Sequence, residues 1–352
     1  MRKLNANAKK GKMKIEKQIV MKMDGIYAVN SIVVEKKRKL LIATEKQGEC
    51  WQVDSDTLEM ERVWNGPGGT MAFAGTSFGE EFWAIQNFFP VFDSVHAVVT
   101  KVIRYKNEWV TRNCLNLPYI HRIDVIETNL GKYFVGCTLC TEKRSMDDWS
   151  SPGAVYVGKV SKDGLEIEDV QLLIKDITRN HGYFRDEFDA EGHAYVSCDK
   201  GIFEISVPTL EKPHWKVKRI INEPTSDIAV TDIDGDGILE ILTIQPFHGN
   251  SISVRKMTDG KNEPVWTYQE KSEFGHVAWS GTILGKPAFI TGFRGGKKEL
   301  LLLTWKKDHF ESIEIDQEGG PCNIHVYHDE TGDRILAANG NTGEAVLYTI
   351  KA

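Results

Sequence analysis

The chain has 352 residues, 41% of them apolar and 27% charged, a balance that supplies a sizeable core and excludes the low-complexity and disordered classes. With 44 basic against 50 acidic residues the net charge is −6, which argues against a nucleic-acid partner. No apolar run is long enough to span a bilayer and the first residues lack a secretory apolar segment, so a cytoplasmic protein with no membrane partner is expected.

From the amino terminus, residues 1–22 carry Arg2, Lys3, Lys9, Lys10, Lys12, Lys14, Lys17 and Lys22 against Glu16 alone, and read as a basic flexible tail. Residues 23–352 read as a single domain that repeats one unit about every 40 to 60 residues. The first unit alternates at 30–34, turns at 36–39 and continues as an apolar run at 40–44. The same pair of strands recurs at 70–73 with 82–85, at 121–125 with 133–136, and at 181–184 with 194–197. Three further units start near Ser226, near His276 and at Asn323. Helical periodicity is almost absent, and short strands separated by Gly, Asp and Asn turns point to an all-β fold of radially repeated sheets. The expected architecture is a seven-bladed β-propeller of four-stranded antiparallel blades; WD40 and kelch signatures are missing.

The six cysteines are scattered in the manner of reduced, buried thiols. Cys137 and Cys140 have metal-like spacing, but in a strand residues three apart face opposite sides.

In the fifth unit, Asp232, Asp234, Asp236 and Glu240 crowd a turn containing Gly235 and Gly237. Carboxylates at this spacing suit a hard cation held by several oxygens, with the Ile238 carbonyl completing the set. The flanks are strands and the closing acid comes too early for an EF-hand. The stretch resembles the FG-GAP, or VCBS-type, calcium loop of β-propellers, which implies a structural Ca2+. An ion-free acidic hairpin is the plainer reading.

In a propeller, the starts of the innermost strands and the ends of the second strands meet at one mouth of the channel, while the aspartate loop lies at the other. The first set is Asn30, Thr70, His121, His181, Ser226, His276 and Asn323; the second is Glu45, Gln86, Asp199, Gln245, His248 and Arg294. His121, His181 and His276 stand at equivalent positions and suit a divalent metal such as Zn, Mn, Fe or Ni, or acid–base work. Channel histidines that only hydrogen-bond water or strands would look the same. Arg122 and Arg294 are candidate oxyanion partners or ordinary inter-blade ion pairs. Gln86 and Gln245 are candidate substrate contacts. Asp147, Asp148 and Trp149 form a rim loop able to hold a sugar by its hydroxyls and its C–H face, or a plain solvated loop.

A second resemblance rests on His121-Arg122, Asp147-Asp148-Trp149-Ser150 followed by Gly153-x-Val155-Tyr156, Asn180-His181-Gly182, Phe247-His248-Gly249, Phe274-Gly275-His276 and Gly292-x-Arg294-x-Gly296. These strings are similar to the propeller part of fungal aldos-2-ulose dehydratases and their bacterial VCBS-repeat relatives. The resemblance covers roughly residue 24 to the carboxyl end and implies a metal-dependent lyase or isomerase acting on a keto sugar such as 1,5-anhydrofructose. Those enzymes carry additional domains, and this sequence matches the propeller alone. By that implication His121, His181 and His276 divide into metal ligands and base, Arg294 or Arg122 binds the oxyanion, and His248, Asp147 or Asp148 protonates the departing hydroxyl. The alternative is a non-catalytic, calcium-stabilised propeller that binds a glycan or a protein. The oligomeric state is open.

Overall fold

The computed structural model describes residues 13–185, 193–258 and 262–352, without the side chain of Phe92. Seven antiparallel sheets form among these residues. In blade 1 (26–64) the strands Ile26–Val34, Lys37–Thr44, Cys50–Asp54 and Met60–Trp64 pair in chain order. Blades 2 (73–116), 4 (182–221), 5 (227–267) and 6 (273–316) repeat that plan. Blade 3 (120–177) adds a short strand, Cys140–Glu142, against the start of Ser151–Val160. First strands of successive blades touch, as Ile26–Val34 touches both Phe73–Ala74 and Pro321–Asp329, and so they ring a central channel. The seven-bladed propeller is therefore the fold.

Burial explains the sequence pattern strand by strand. Second strands lie between neighbouring sheets and are covered on both faces, so Leu40, Leu41, Ile42 and Ala43 are all fully buried. Such strands read as continuous apolar runs. Fourth strands face solvent: Glu108–Asn116 has no fully buried residue, and its pattern is correspondingly polar. No helix among the described residues is long and apolar enough to cross a membrane.

Blade 7 corrects the expected tail. Its strands Pro321–Asp329, Gly332–Asn339 and Glu344–Lys351 come from the end of the chain, and the fourth is Lys14–Lys22 from the beginning. Of the residues expected to form a tail, 14–22 are thus a strand, and 1–12 lie outside the described residues. The charge run concealed a usable apolar face: Val20 is buried, and Met13 and Ile15 pack on the blade 6–7 core. The lysines find carboxylates across the seam, Lys22 with Glu344 at 3.0 Å, Lys351 with Glu16 at 2.7 Å and Lys17 with Asp316 at 2.7 Å.

A second feature decides which side chains enter the channel. Inner strands slip register near the mouth, between Ile26 and Ala28, Ile120 and Arg122, Gly275 and Val277, and Pro321 and Asn323. Each slip leaves one residue unpaired: Tyr27, His121, His276 and Cys322. A β-bulge of this kind bends its strand and re-aims the extra side chain.

Deleting residues 1–22 removes the fourth strand of the closing blade and should lower the melting temperature by about 5 °C or more, measured by circular dichroism or calorimetry. An unchanged melting temperature would show that this strand does not contribute to closure.

Candidate metal centre and substrate pocket

The bulged side chains of Tyr27, His121 and His276 converge with those of the blade 4, 5 and 6 loops around a cavity of about 530 Å³ at the channel mouth. Tyr27, Glu45, His121, His181, His248, His276 and Arg294 line its floor and walls, with Phe88, Phe247, Phe274 and Trp149 as aromatic surfaces.

His181 immediately precedes the inner strand Gly182–Arg185. A Cβ at Gly182 would meet the Ser226 carbonyl oxygen at 2.6 Å and Asp227 Cα at 2.8 Å, so a glycine is what lets this segment lie against blade 5. That approach brings His181 Nδ1 to 2.7 Å from Asp227 Oδ2. The carboxylate also accepts a bond from the Ser226 hydroxyl at 2.9 Å. Arg122 donates to the His181 carbonyl at 2.9 Å and stands 3.7 Å from Asp227. His276 Nδ1 lies 2.6 Å from the Cys322 carbonyl oxygen.

These partners settle two tautomers. A carbonyl or carboxylate oxygen only accepts, so Nδ1 carries the proton in His181 and His276, and Nε2 of each neutral ring is left with a bare lone pair. Both rings line the cavity, His181 Nε2 beside His248 and His276 Nε2 beside Tyr27. His248 Nε2 is 3.3 Å from His181 Nε2. His248 reaches this position from a tight turn: its own φ is +50°, and a Cβ at Gly249 would meet the Gln245 carbonyl oxygen at 2.2 Å. Tyr27 Oη stands 3.3 Å from Nε2 of both His121 and His276, which ties blades 1, 3 and 6 together.

Burial lowers the pKa of every one of these rings. His121, His181 and His276 fall well below the usual histidine value, chiefly by desolvation and then by neighbouring histidines and arginines. His248 falls to about 4 for the same leading reason. All four are therefore neutral at physiological pH, the form that binds metals and accepts protons. Desolvation also raises the Glu45 pKa, against the pull of Arg294 at 3.7 Å. Burial opposes the charge of Arg294, but Cys322, Tyr27 and Glu45 raise its pKa overall.

Ligand atoms of His181, His248 and His276 all lie within 4.8 Å of one another. In a tetrahedral zinc site with metal–nitrogen bonds of about 2.0–2.1 Å, ligand nitrogens stand roughly 3.3–3.4 Å apart. The 3.3 Å between His181 Nε2 and His248 Nε2 matches that edge. Carboxylate and carbonyl partners on the far nitrogens are the usual support for metal-binding imidazoles. These three residues fit a divalent metal. The set differs from the expected His121, His181 and His276, since His248 joins the group and His121 sits beside it on Tyr27.

Other expected residues divide. Arg294, Asp147 and Trp149 line the cavity. Arg122 lies behind His181 and positions it. Gln86 is buried away from the cavity and donates to the Pro67 carbonyl at 3.1 Å. Gln245 is bound up with Thr225 at 3.2 Å and Arg255 at 3.1 Å. Asp148 caps its own loop, accepting from the Ser150 hydroxyl at 2.7 Å and the Arg144 amide at 3.1 Å, bonds that pull its pKa to about 2. Asn30 lines a separate cavity further along the channel with Asp124 and His325. Tyr27, Glu45, Lys143 and Arg179 also line the pocket, and neither Tyr27 nor Arg179 stood out in the sequence.

The aspartate loop lies at the far end of the five-residue strand Asp227–Thr231, roughly 15 Å from His181 at about 3.3 Å per residue. Asp232 accepts from the amides of Gly235, Asp236 and Gly237 at 2.7, 3.1 and 2.9 Å. Oxygens of Asp232, Asp234 and Asp236 gather within 4.8 Å. The Lys256 ammonium stands 2.6 Å from Asp234, 2.7 Å from Asp236 and 3.0 Å from Glu240. Burial works against that charge, but the three carboxylate bonds hold the Lys256 pKa above the ordinary lysine value. The Ile238 side chain is exposed on the turn.

Cys137 lies in the strand Gly131–Thr138 and Cys140 opens the separate short strand Cys140–Glu142, not one continuous strand as expected; both are buried, in different core clusters. Desolvation pushes both thiols up to about 12. In the native protein at pH 8, iodoacetamide should label the half-buried Cys114 first and leave Cys137 and Cys140 unmodified by peptide mass mapping; rapid labelling of either would contradict their burial.

No family model matches the chain, and no curated protein does. Solved structures do. The β-propeller domain of Cps50 (Swd1) from Myceliophteria thermophila aligns at a TM-score of 0.62 with 9% identity, over 96% of this chain and 100% of that one. A provisionally assigned 6-phosphogluconolactonase from Bacteroides fragilis aligns at 0.55 with 11% identity, over 89% and 86%. Another, from Bacteroides uniformis, aligns at 0.56 with 11% identity, over 89% and 88%. The likeness is one of fold.

Proposed function

We propose that the protein is a metal-dependent lyase or isomerase acting on a keto sugar at the histidine-lined mouth of the propeller. The observation that carries this reading is the convergence of His181, His248 and His276, two of them with Nδ1 anchored so that Nε2 keeps a bare lone pair. Structural water networks in a channel do not need fixed tautomers, neutral rings and a cavity of 530 Å³ together.

A divalent metal held by these three histidines would supply Lewis acidity for a carbonyl oxygen. The chain's own residues account for the remaining roles. His121, neutral and hydrogen-bonded to Tyr27, takes the proton from the carbon next to the carbonyl. Arg294 presents a fixed positive charge to the oxygen on which negative charge develops. Glu45, protonated more readily than an exposed carboxyl because it is buried, gives its proton to the departing hydroxyl, which leaves as water. Trp149, Phe247 and Phe274 offer flat apolar faces to the C–H side of a sugar ring. Glu45 thus takes the acid role that the sequence had offered to His248, Asp147 or Asp148.

Purified protein should contain about one zinc, manganese, iron or nickel per chain, and His181→Ala, His248→Ala or His276→Ala should lose it with the circular dichroism spectrum unchanged. Asp227→Asn should weaken metal affinity by about 10- to 100-fold. With 1,5-anhydrofructose as substrate, an ultraviolet-absorbing enone should form, and Glu45→Gln should lower kcat by about 10²- to 10⁴-fold. Protein that holds no transition metal and turns over no keto sugar would leave the glycan- or protein-binding propeller as the better reading.

We also propose that the aspartate loop takes Ca2+ in the manner of the VCBS-type loops it resembles. Four carboxylates against the single charge of Lys256 leave an excess of negative charge that a divalent ion would offset. Calcium should raise the melting temperature relative to chelator, and more so in Lys256→Met, where the competing ammonium is gone. If calcium changes neither protein, Lys256 is the loop's own cation.

A further inference from the structure

Two cations on the pocket wall have no part in the proposed reaction. The Lys143 ammonium stands 3.6 Å from the centroid of the Trp149 ring, and the Arg179 guanidinium stands 5.1 Å from the same ring. Arg179 is also 5.8 Å from the Phe247 ring. Neither cation has a carboxylate within 4.0 Å among the described residues. Lys143 finds only the Met146 carbonyl, and Arg179 Nε is buried with no hydrogen-bond partner.

Burying an unpaired polar group is unfavourable unless something completes it. Desolvation depresses the Lys143 pKa, and the nearby charge of Arg179 depresses it further, although Asp147 and Asp148 act the other way. Arg179 is nevertheless held in place: its backbone amide donates to the Leu139 carbonyl at 2.9 Å and its φ is +53°. Of the pocket's two carboxylates, Glu45 faces Arg294 and Asp147 is exposed at the rim. The wall is thus left with positive charge that the protein itself does not neutralise.

We propose that the substrate carries an oxyanion, a carboxylate or a phosphate, which docks on Arg179 and Lys143 beside Trp149. The guanidinium fork suits either group, and the ammonium adds a second charge-assisted bond. The inference rests on the keto-sugar reading for the rest of the ligand, but its docking site is separate from the histidines. It narrows the substrate class to acidic or phosphorylated sugars.

Calorimetric titration of the full chain with D-glucuronate, glucose 6-phosphate and methyl glucoside tests this. At least one anionic sugar should bind about tenfold or more tightly than the neutral one, with the preference shrinking as salt is raised. The two anionic arms tell a carboxylate site from a phosphate site. Arg179→Met and Lys143→Met should each bring the preference down to about threefold or less, and Arg179→Lys should retain more of it than Arg179→Met, with melting temperatures confirming folded protein. Equal binding of all three sugars, binding of none, or a preference that survives Arg179→Met would overturn the proposal. Because the readout is binding, anion preference without turnover would sink the lyase reading alone. Turnover of neutral keto sugars without anion preference would sink only this inference.

Discussion

Closure of the ring is the constraint on which the remaining structure depends. A propeller is a set of sheets with no intrinsic reason to meet end to end, and here pairing of Lys14–Lys22 with Glu344–Lys351 joins the two ends of the chain in one blade. The consequence reaches the pocket directly. Tyr27 belongs to the first blade, His276 to the sixth, and the Cys322 carbonyl that fixes His276 to the seventh. The Tyr27–His276 bond therefore joins the two ends of the chain that closure brings together, and the His276–Cys322 bond joins the last two blades. Were the seam loose, the place of Tyr27 against His276 would be loose as well.

Within the closed ring, local irregularity in the sheets does what a regular ladder cannot. A strand with perfect alternation sends every second side chain to the same face. Bulges at Tyr27, His121, His276 and Cys322 break that alternation near the mouth; the first three turn side chains from different blades into one pocket, and the fourth presents its carbonyl to His276. The blade 4 and 5 contributions come another way, through glycines that allow close backbone approach and through the left-handed turn at His248. Polar groups behind the histidines, Asp227 above all, then fix ring orientation, so that the pocket is organised from behind as well as from within.

Electrostatics divides the pocket into two regions. Around the histidines, burial keeps the rings neutral, and the nearby charges come in two pairs, Arg294 with Glu45 and, behind His181, Arg122 with Asp227. At the rim, Lys143 and Arg179 stand over an aromatic surface with no carboxylate within 4.0 Å among the described residues. A ligand that spans both regions would place an uncharged reacting centre among neutral donors and an anionic group on the cations. The aspartate loop stands apart from both regions, at the other end of its strand. Within blade 5, Lys256 bridges the loop to the third strand.

What the amino-acid order determined by itself was whatever depends on neighbours in the chain. Period-two strands, the buried second strands such as 40–43, turns at Gly and Asp, and the carboxylate spacing of 232–240 are all local, and they sufficed for a seven-bladed propeller and for naming His121, His181, His248, His276 and Arg294 as mouth residues. The strand at 14–22 was illegible because its lysines are balanced by Glu344, Asp316 and Glu16, two of which lie some three hundred residues away. Gln86 and Gln245 looked like mouth residues by position, yet their amides are taken up by nearby groups once the chain is folded. Tyr27 and the grouping of His248 with His181 and His276 were decided only by the tertiary structure. A one-residue bulge moves a side chain from sheet to channel without leaving a signature in the sequence, and the distance between two imidazole nitrogens on different blades is set by ring closure, which no local pattern encodes.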